Sequence, residues 1–466
     1  MNSAATSFDA VIVGAGPAGS TVAIQLARGG WSVALIEKQR FPRRKVCGEC
    51  VAASNLQLLH DLGIGDAFDV SAGPALRRVA LLLDDSVASA RLPAAEHDRF
   101  PWGRALGRET LDGLLLDQAR AAGAVVFQPC AVQAILGSAG AWQCEVRTPD
   151  ATAMLRLRAR VMIDAHGSWE GLPSERPKRL LARHASDLFA FKANFTGSSL
   201  PEGAISVLAL DGGYGGMVLA DGGTVTIACC IRRDRLSELR SAALGQCVGD
   251  VVETWLQREC AGVSNALDGA LRDGPWLSSG PLAPGIRVDA QDTIFRVGNA
   301  AGEAHPILGE GMSMALQSAV LLSAHLLGTE SGQARPARTE SRDAQHGSDA
   351  SHAPVPDAAM QAKIQRSYAR AWRKAFAPRL FVAAVFAHLA MRPFAAAALM
   401  KVVQAWPGLL THGARWGGKV RLASLANTSA SNYASATNHA HEQQPLEPAR
   451  AQRVGRALKS PQEEST

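Results

Sequence analysis

The stretch VIVGAGPAGS, residues 11–20, places three glycines in the pattern G-x-G-x-x-G between two different hydrophobic rhythms. Before it, residues 8–13 form a short run ending in alternate valines, as in a buried parallel strand. After it, residues 17–28 repeat apolar side chains at helical spacing, and WSVALIE, residues 31–37, forms a second strand-like run. That is a strand–helix–strand unit of about thirty residues. Gly14 turns the chain tightly, Gly16 lets the backbone approach a pyrophosphate, and Gly19 lets helix pack on strand. Glu37, at the end of the second strand, is positioned for the hydroxyls of an adenosine ribose. Dinucleotide binding is expected; the motif alone does not separate FAD from a nicotinamide cofactor.

At 466 residues, 47% hydrophobic and 19% charged, the chain has the make-up of a globular protein of about two to three domains. Its eight cysteines are irregularly spaced, and the first apolar run enters the glycine motif at once. A cytoplasmic chain with reduced thiols is expected. The net charge of +6 is regional: residues 361–420 hold ten Lys or Arg and no Asp or Glu, so the remainder is net acidic. No Gly-x-Ser-x-Gly, His-Glu-x-x-His or Walker loop occurs, which sets aside hydrolase and nucleotidase chemistry.

Short runs across 124–164, beginning with AVVFQ, read as a β-meander feeding a last buried strand. Residues 185–232 are strand-rich, with the turn DGGYGG at 211–216. A further strand is expected at 293–297 and a helix from about Gly309 to Leu327. Residues 329–357 and 424–466 have few large apolar side chains and read as a flexible linker and a disordered tail.

Four further segments carry a resemblance: FPRRKVCGE at 41–49, GRETLDGLLLDQARAAGAVV at 107–126, DAHG at 164–167 and IFRVGNAAGEAHPILGEGMSMALQSA at 294–319. With the glycine motif, they make residues 1–328 resemble the geranylgeranyl-reductase-like branch of the FAD-dependent oxidoreductase and aromatic hydroxylase (p-hydroxybenzoate hydroxylase-like) superfamily. The resemblance implies an α/β fold. A doubly wound Rossmann-type FAD domain with a β-meander would come from 1–72, 106–184 and 276–328. A sheet-rich substrate domain would come from 73–105 and 185–275, followed by a basic, apolar helical region at 358–423.

It also implies FAD contacts. Gly298 and Asn299 fall at the ribityl chain, with Asn299 replacing the usual Asp. Pro306, Gly309, Gly311 and Met312 bring a helix N-terminus beside the flavin ring, where its dipole favours the reduced anion. Arg108 reaches the cofactor. Lys45, Cys47 and Gly48 fall on a loop that covers the flavin, with Cys47 near the isoalloxazine and Gly48 admitting the ring. The Cys47–Cys50 spacing also suits a dithiol exchanging electrons with the flavin. A zinc site is not supported, because no second Cys/His pair lies at a fitting spacing.

Departures from the family pattern bear on the reaction. Ala165-His166-Gly167 stands where hydroxylases carry Ala-Asp-Gly, which argues against fast nicotinamide-driven oxygenation. The halogenase motif Trp-x-Trp-x-Ile-Pro is missing. With no second glycine unit, NADPH or NADH would bind transiently, or the electron donor would be another protein. Tyr214 and His305 fall on the substrate side, with packing roles as the alternative; Cys47, Tyr214 and His305 are the catalytic candidates. The leading expectation is reduction of a carbon–carbon double bond in a hydrophobic isoprenoid, lipid or polyketide-like substrate. An FAD monooxygenase and a membrane-docked flavin electron carrier are the alternatives.

The apolar runs at 380–391 and 402–414 are shorter than the roughly 18 residues needed to span a bilayer, and Arg392-Pro393 separates them. Amphipathic helices lying on an anionic membrane are expected through 361–420, which would make the protein peripheral on the inner face. A helical cap on the substrate domain, or one tilted span over 380–400, are the other readings. Nucleic acid is not an expected partner, since Ala, Leu and Val dominate between the basic residues.

Overall fold

The structure is a computed structural model and describes residues 6–95, 99–149, 154–168, 171–173, 184–328 and 353–416. The expected tail and most of the expected linker, 329–352, lie outside the described residues.

The first strand, Thr6–Val13, lies parallel between Val33–Ile36 and Leu155–Asp164. Val125–Phe127 extends the sheet beyond Val33–Ile36, and Phe295–Arg296 pairs in parallel with the end of Leu155–Asp164. The helices Pro17–Arg28, Arg108–Ala121 and Gly311–Leu327 pack on one face, where Ile12, Leu35, Leu111 and Leu316 are fully buried. The sheet continues antiparallel through Ala141–Arg147 and Ala131–Ser138, whose Trp142, Cys144, Val146 and Ile135 form a second core cluster with Val11, Ala34 and Ile36. The expected meander is therefore shorter than its sequence suggested. Val125–Phe127 has left it, because the preceding helix carries the chain across the sheet to a parallel register beside Val33–Ile36.

A second sheet runs in the order Leu271–Arg272, Leu188–Thr196, Val225–Arg232, Gly213–Leu219, Ala204–Leu210, Arg78–Leu83, Ser86–Arg91. The neighbours Ala204–Leu210 and Arg78–Leu83 are parallel and come from distant parts of the chain. The helix Val248–Glu259 buries Trp255 on one face of this sheet. The other face meets Ala387, Met391, Met400 and Val403 of the C-terminal helices.

Those helices are Ala358–Ala390, Pro393–Ala405 and Gly408–Trp416. Asp357 starts the first by accepting a hydrogen bond from the Met360 amide at 2.8 Å. Tyr368, Trp372 and Phe376 then bury themselves in the core of the first domain. The chain bends by 106° into the second helix, with Pro393 at its first turn. No single described helix is long and apolar enough to cross a membrane. Residues 380–400 fall on two helices rather than the single one expected, and by length and composition only this bent pair, among the described residues, would pass for a broken span.

Candidate active site

The turn after Thr6–Val13 is built from steric exclusion. Gly14 has φ +103°, and a Cβ there would meet the Ala165 carbonyl oxygen at 2.5 Å. A Cβ on Gly19 would lie 1.8 Å from the Gly14 carbonyl oxygen, so only glycine lets this helix approach the turn. Gly16 is different: its Cβ would meet only Arg108 Nη2, at 3.7 Å. The helix it opens has no side-chain cap and no acidic residue in its first turn, leaving amide donors turned toward that space. Glu37 accepts hydrogen bonds from the amides of Ala15 (3.0 Å) and Gln39 (2.9 Å), bracing the turn from behind.

Gly16 forms part of a cavity between the two domains, with about 1530 Å³ of space between its walls, part of it open to solvent. Lys45, Cys47, Gly48, Arg108, Tyr214, Gly298, Asn299, Pro306, Gly309, Gly311 and Met312 all contribute to the wall. Gly14, Gly19, Glu37 and His305 do not; the first three shape the turn behind it.

The wall near Gly16 is cationic. Arg108 forms a bidentate pair with the buried carboxylate of Asp112, Nε and Nη2 each at 2.7 Å, and also bonds Cys47. Burial alone would lower its pKa, but Asp112 overrides this and holds the guanidinium charged. The ammonium of Lys45 is pushed down to about 8, first by burial and then by the positive charges of Arg108 and Arg43, with Asp112 and Glu37 opposing. A lysine so poised gains when an anion arrives.

Opposite, the strand Phe295–Arg296 leads through Gly298, at φ +60°, to Asn299. The Asn299 amide nitrogen donates to Ser168 Oγ at 2.8 Å. Arg287 donates to the Asn299 carbonyl and, at 2.8 Å, to Glu303. The following helix begins at Gly311, two residues later than expected, because Gly309 takes a left-handed turn at φ +63°. Cβ atoms added at Gly311 and Gly48 would meet nothing within 4 Å. The protein's own packing does not require glycine at these two positions.

The second sheet supplies the remaining wall: Ala190, Ile205, Val207, Met217 and Val218, with Tyr214 and Cys230 among them. Tyr214 is buried, and burial followed by contact with Cys230 raises its pKa well above the usual phenol range. Cys230 is itself pushed up to about 12, chiefly by burial. The Tyr214 hydroxyl lies 3.4 Å from His305 Nδ1. Burial and the neighbouring His388 lower His305 to about 4, so it is neutral at pH 7. The rings of His305 and His388 meet edge to face at 5.6 Å, and His388 is exposed.

Several residues here were not singled out in the sequence. Glu49, at φ +59°, accepts from the Arg108 amide at 2.9 Å and pairs with Lys192 and Thr226, all three buried. The signal was a lone charge in the strand AFKANF, 190–195. Asp112, which fixes Arg108, follows it by one helical turn. His166 lies outside the wall, bonded through Nδ1 to the buried Asp164. Cys47 and Cys50 are not joined by a disulfide.

The chain matches the model of the FAD binding domain over residues 7–180, which takes in the glycine turn, Glu37, the Lys45–Cys47 loop and Arg108. Residues 7–180 are thus an FAD binding domain. It is 27% identical over 341 residues to conditioned medium factor receptor 1 of Dictyostelium discoideum, covering 69% of this chain and 63% of that one. It is 24% identical over 333 residues to tryptophan 2-halogenase of Chondromyces crocatus, covering 69% and 62%. The chain thus spans somewhat less than two thirds of the length of these relatives. A segment of 59 residues is 48% identical to menaquinone reductase of Mycobacterium tuberculosis, 13% of this chain and 14% of that one. Two solved structures share the fold. One is a myxobacterial chondrochloren halogenase (TM-score 0.67, 17% identity, 88% of this chain and 91% of that one). The other is a geranylgeranyl bacteriochlorophyll reductase-like protein of Thermoplasma acidophilum (0.64, 15%, 92% and 99%).

The residues present fit FAD. The uncapped helix start and the Lys45–Arg108 cations suit a pyrophosphate, and Gly16, Gly48 and Gly311 leave the wall bare where a planar group must come close.

Proposed function

We propose that this FAD-dependent oxidoreductase reduces a carbon–carbon double bond in a hydrophobic substrate of isoprenoid, lipid or polyketide-like character. The observation that carries the reading is the second-sheet wall of the cavity, where apolar side chains surround a phenol that keeps its proton. Bound FAD supplies two-electron redox chemistry at its isoalloxazine ring.

The chain's own contribution falls into three parts. Gly16, Lys45 and Arg108 hold the phosphates; Gly298 and Asn299 take the ribityl side. Ile205, Val207 and Met217 exclude water from the reacting face. Tyr214 holds a proton on its hydroxyl oxygen, and His305, neutral and backed by the exposed His388, returns one from solvent after each turnover. Cys47, on the loop beside Arg108, bonds the guanidinium and helps hold it in place. Electrons come from NADPH or NADH bound transiently, or from a protein donor. The short likeness to a menaquinone reductase supports reduction, while the likeness to a halogenase keeps oxygen-using chemistry as the second reading.

The test uses the FAD-loaded full chain, reduced without oxygen and given a polyprenyl alcohol in detergent, with products read by mass spectrometry. A gain of two hydrogens supports the proposal. Oxygen-18 incorporated from labelled dioxygen, with no saturation of the chain, overturns it in favour of monooxygenation. Electron transfer to an artificial acceptor with neither product favours an electron carrier.

A further inference from the structure

The helix Ala358–Ala390 presents to solvent a stripe whose character changes along its length. Arg366, Arg370, Arg373 and Lys374 are exposed, and on the same helical spacing follow Phe381 (71% exposed) and Val385. Beyond the 106° bend, Phe394 is 94% and Trp406 71% exposed, with Val402 and Leu409 beside them in sequence order. Arg392, Lys401 and Arg415 are also exposed among these apolar residues. Three bare aromatic rings thus lie close in sequence, Phe381 on the first helix, Phe394 on the second and Trp406 just after it, more exposed apolar surface than an ordinary solvated face carries. The inner faces of the same helices pack on Tyr214, Leu188 and Ala190, and the same cluster takes in Val46, Val207, Leu282 and Ile307, which also form the cavity wall.

We infer that the outer face of Ala358–Ala390, Pro393–Ala405 and Gly408–Trp416 docks on an anionic lipid bilayer, with Phe381, Phe394 and Trp406 entering the interface. The occupant is chosen by charge: residues 361–420 contain ten basic residues and no acidic one, which suits acidic headgroups, whereas a second copy of this face would bring like charges together. Aromatic and cationic side chains interleaved along helices joined by a sharp bend are the composition of an element that lies in the interface. Because its inner face adjoins the cavity wall, docking sets the cavity beside the bilayer. That last consequence rests on the hydrophobic substrate proposed above; the docking itself does not.

The test is flotation of the FAD-loaded full chain with vesicles of phosphatidylcholine alone and of phosphatidylcholine with about one third phosphatidylserine. Recovery with the anionic vesicles at low salt, falling in high salt, is expected. Lys401→Glu is expected to weaken partition by more than about fivefold, since reversing one interfacial cation removes at least one charge's attraction. Phe394→Ser with Trp406→Ser is expected to abolish flotation with the flavin spectrum unchanged, which shows that the variants fold. No flotation by the unaltered chain at low salt overturns the inference. So does equal binding of variants and parent, or a concentration-dependent dimer that the same substitutions dissolve. Since flotation needs no turnover, its failure is separable from failure of the proposed reaction.

Discussion

The ammonium of Lys192, on the strand Leu188–Thr196 of the second sheet, is ion-paired with the carboxylate of Glu49, on the loop that follows Cys47. Both are buried, and the same carboxylate takes the Arg108 amide and the Thr226 hydroxyl. The pair ties the cofactor loop to the substrate wall. Lys192→Met leaves a buried carboxylate without its cation and is expected to cost about 3–5 kcal/mol. Combining it with Glu49→Gln should restore most of this. Urea unfolding of the FAD-loaded single and double variants measures the difference; equal losses in both would show that the pair contributes no coupling.

Two glycines of this chain should respond oppositely. Gly19→Ala places a methyl group 1.8 Å from the Gly14 carbonyl oxygen, so the turn must open and FAD should be lost together with thermal stability. Gly48→Ala meets nothing within 4 Å, so the apoprotein should melt at an unchanged temperature while FAD binds more weakly. Melting curves with and without added FAD separate the two effects.

Lys45 gives a pH signature. Its folded pKa of about 8 lies below the ordinary 10.5, so between these values the unfolded chain binds more protons than the folded one. Apoprotein stability should therefore rise with pH across that window, and the penalty should be fully present below about 8. FAD phosphates supply the missing negative charge, so FAD affinity should weaken as pH passes 8. Lys45→Met should flatten both trends, as read by unfolding and by FAD titration at pH 7, 8 and 9.

Tyr214→Phe keeps the ring and removes the proton. For the proposed reduction, kcat should fall by about 10²–10⁴ with FAD content unchanged. His305→Gln should slow turnover less and shift its pH profile. A Tyr214→Phe enzyme with undiminished kcat would remove the phenol from the mechanism.

How much of this was legible in sequence depended on whether the signal was local. The glycine turn and the 298–312 segment are each contiguous, and steric demands in a tight turn leave few residue choices, so their turns could be read directly, whereas Glu37, expected at a ribose, braces the turn instead. The helix start was misplaced by two residues because Gly309 adopts a left-handed turn before Gly311, and glycine permits either course. Val125–Phe127 was drawn into the meander because a three-residue strand has no periodicity with which to declare its partner. Glu49 with Lys192, and Tyr214 with His305, join residues 143 and 91 positions apart, and no spacing rule encodes such pairs. The strand AFKANF held the one available hint, a charge where the pattern asked for an apolar residue.

The parallel pairing of Arg78–Leu83 with Ala204–Leu210 also governs how the chain is made. During synthesis, the hairpin of Arg78–Leu83 and Ser86–Arg91 emerges with one edge open, and its partner follows more than a hundred residues later. Throughout that interval an apolar strand waits on the ribosome without a neighbour, the condition under which nascent chains recruit chaperones or associate wrongly. Substitutions along Ala204–Leu210 should therefore register first in how much protein a cell recovers, and only afterwards in what the recovered protein does.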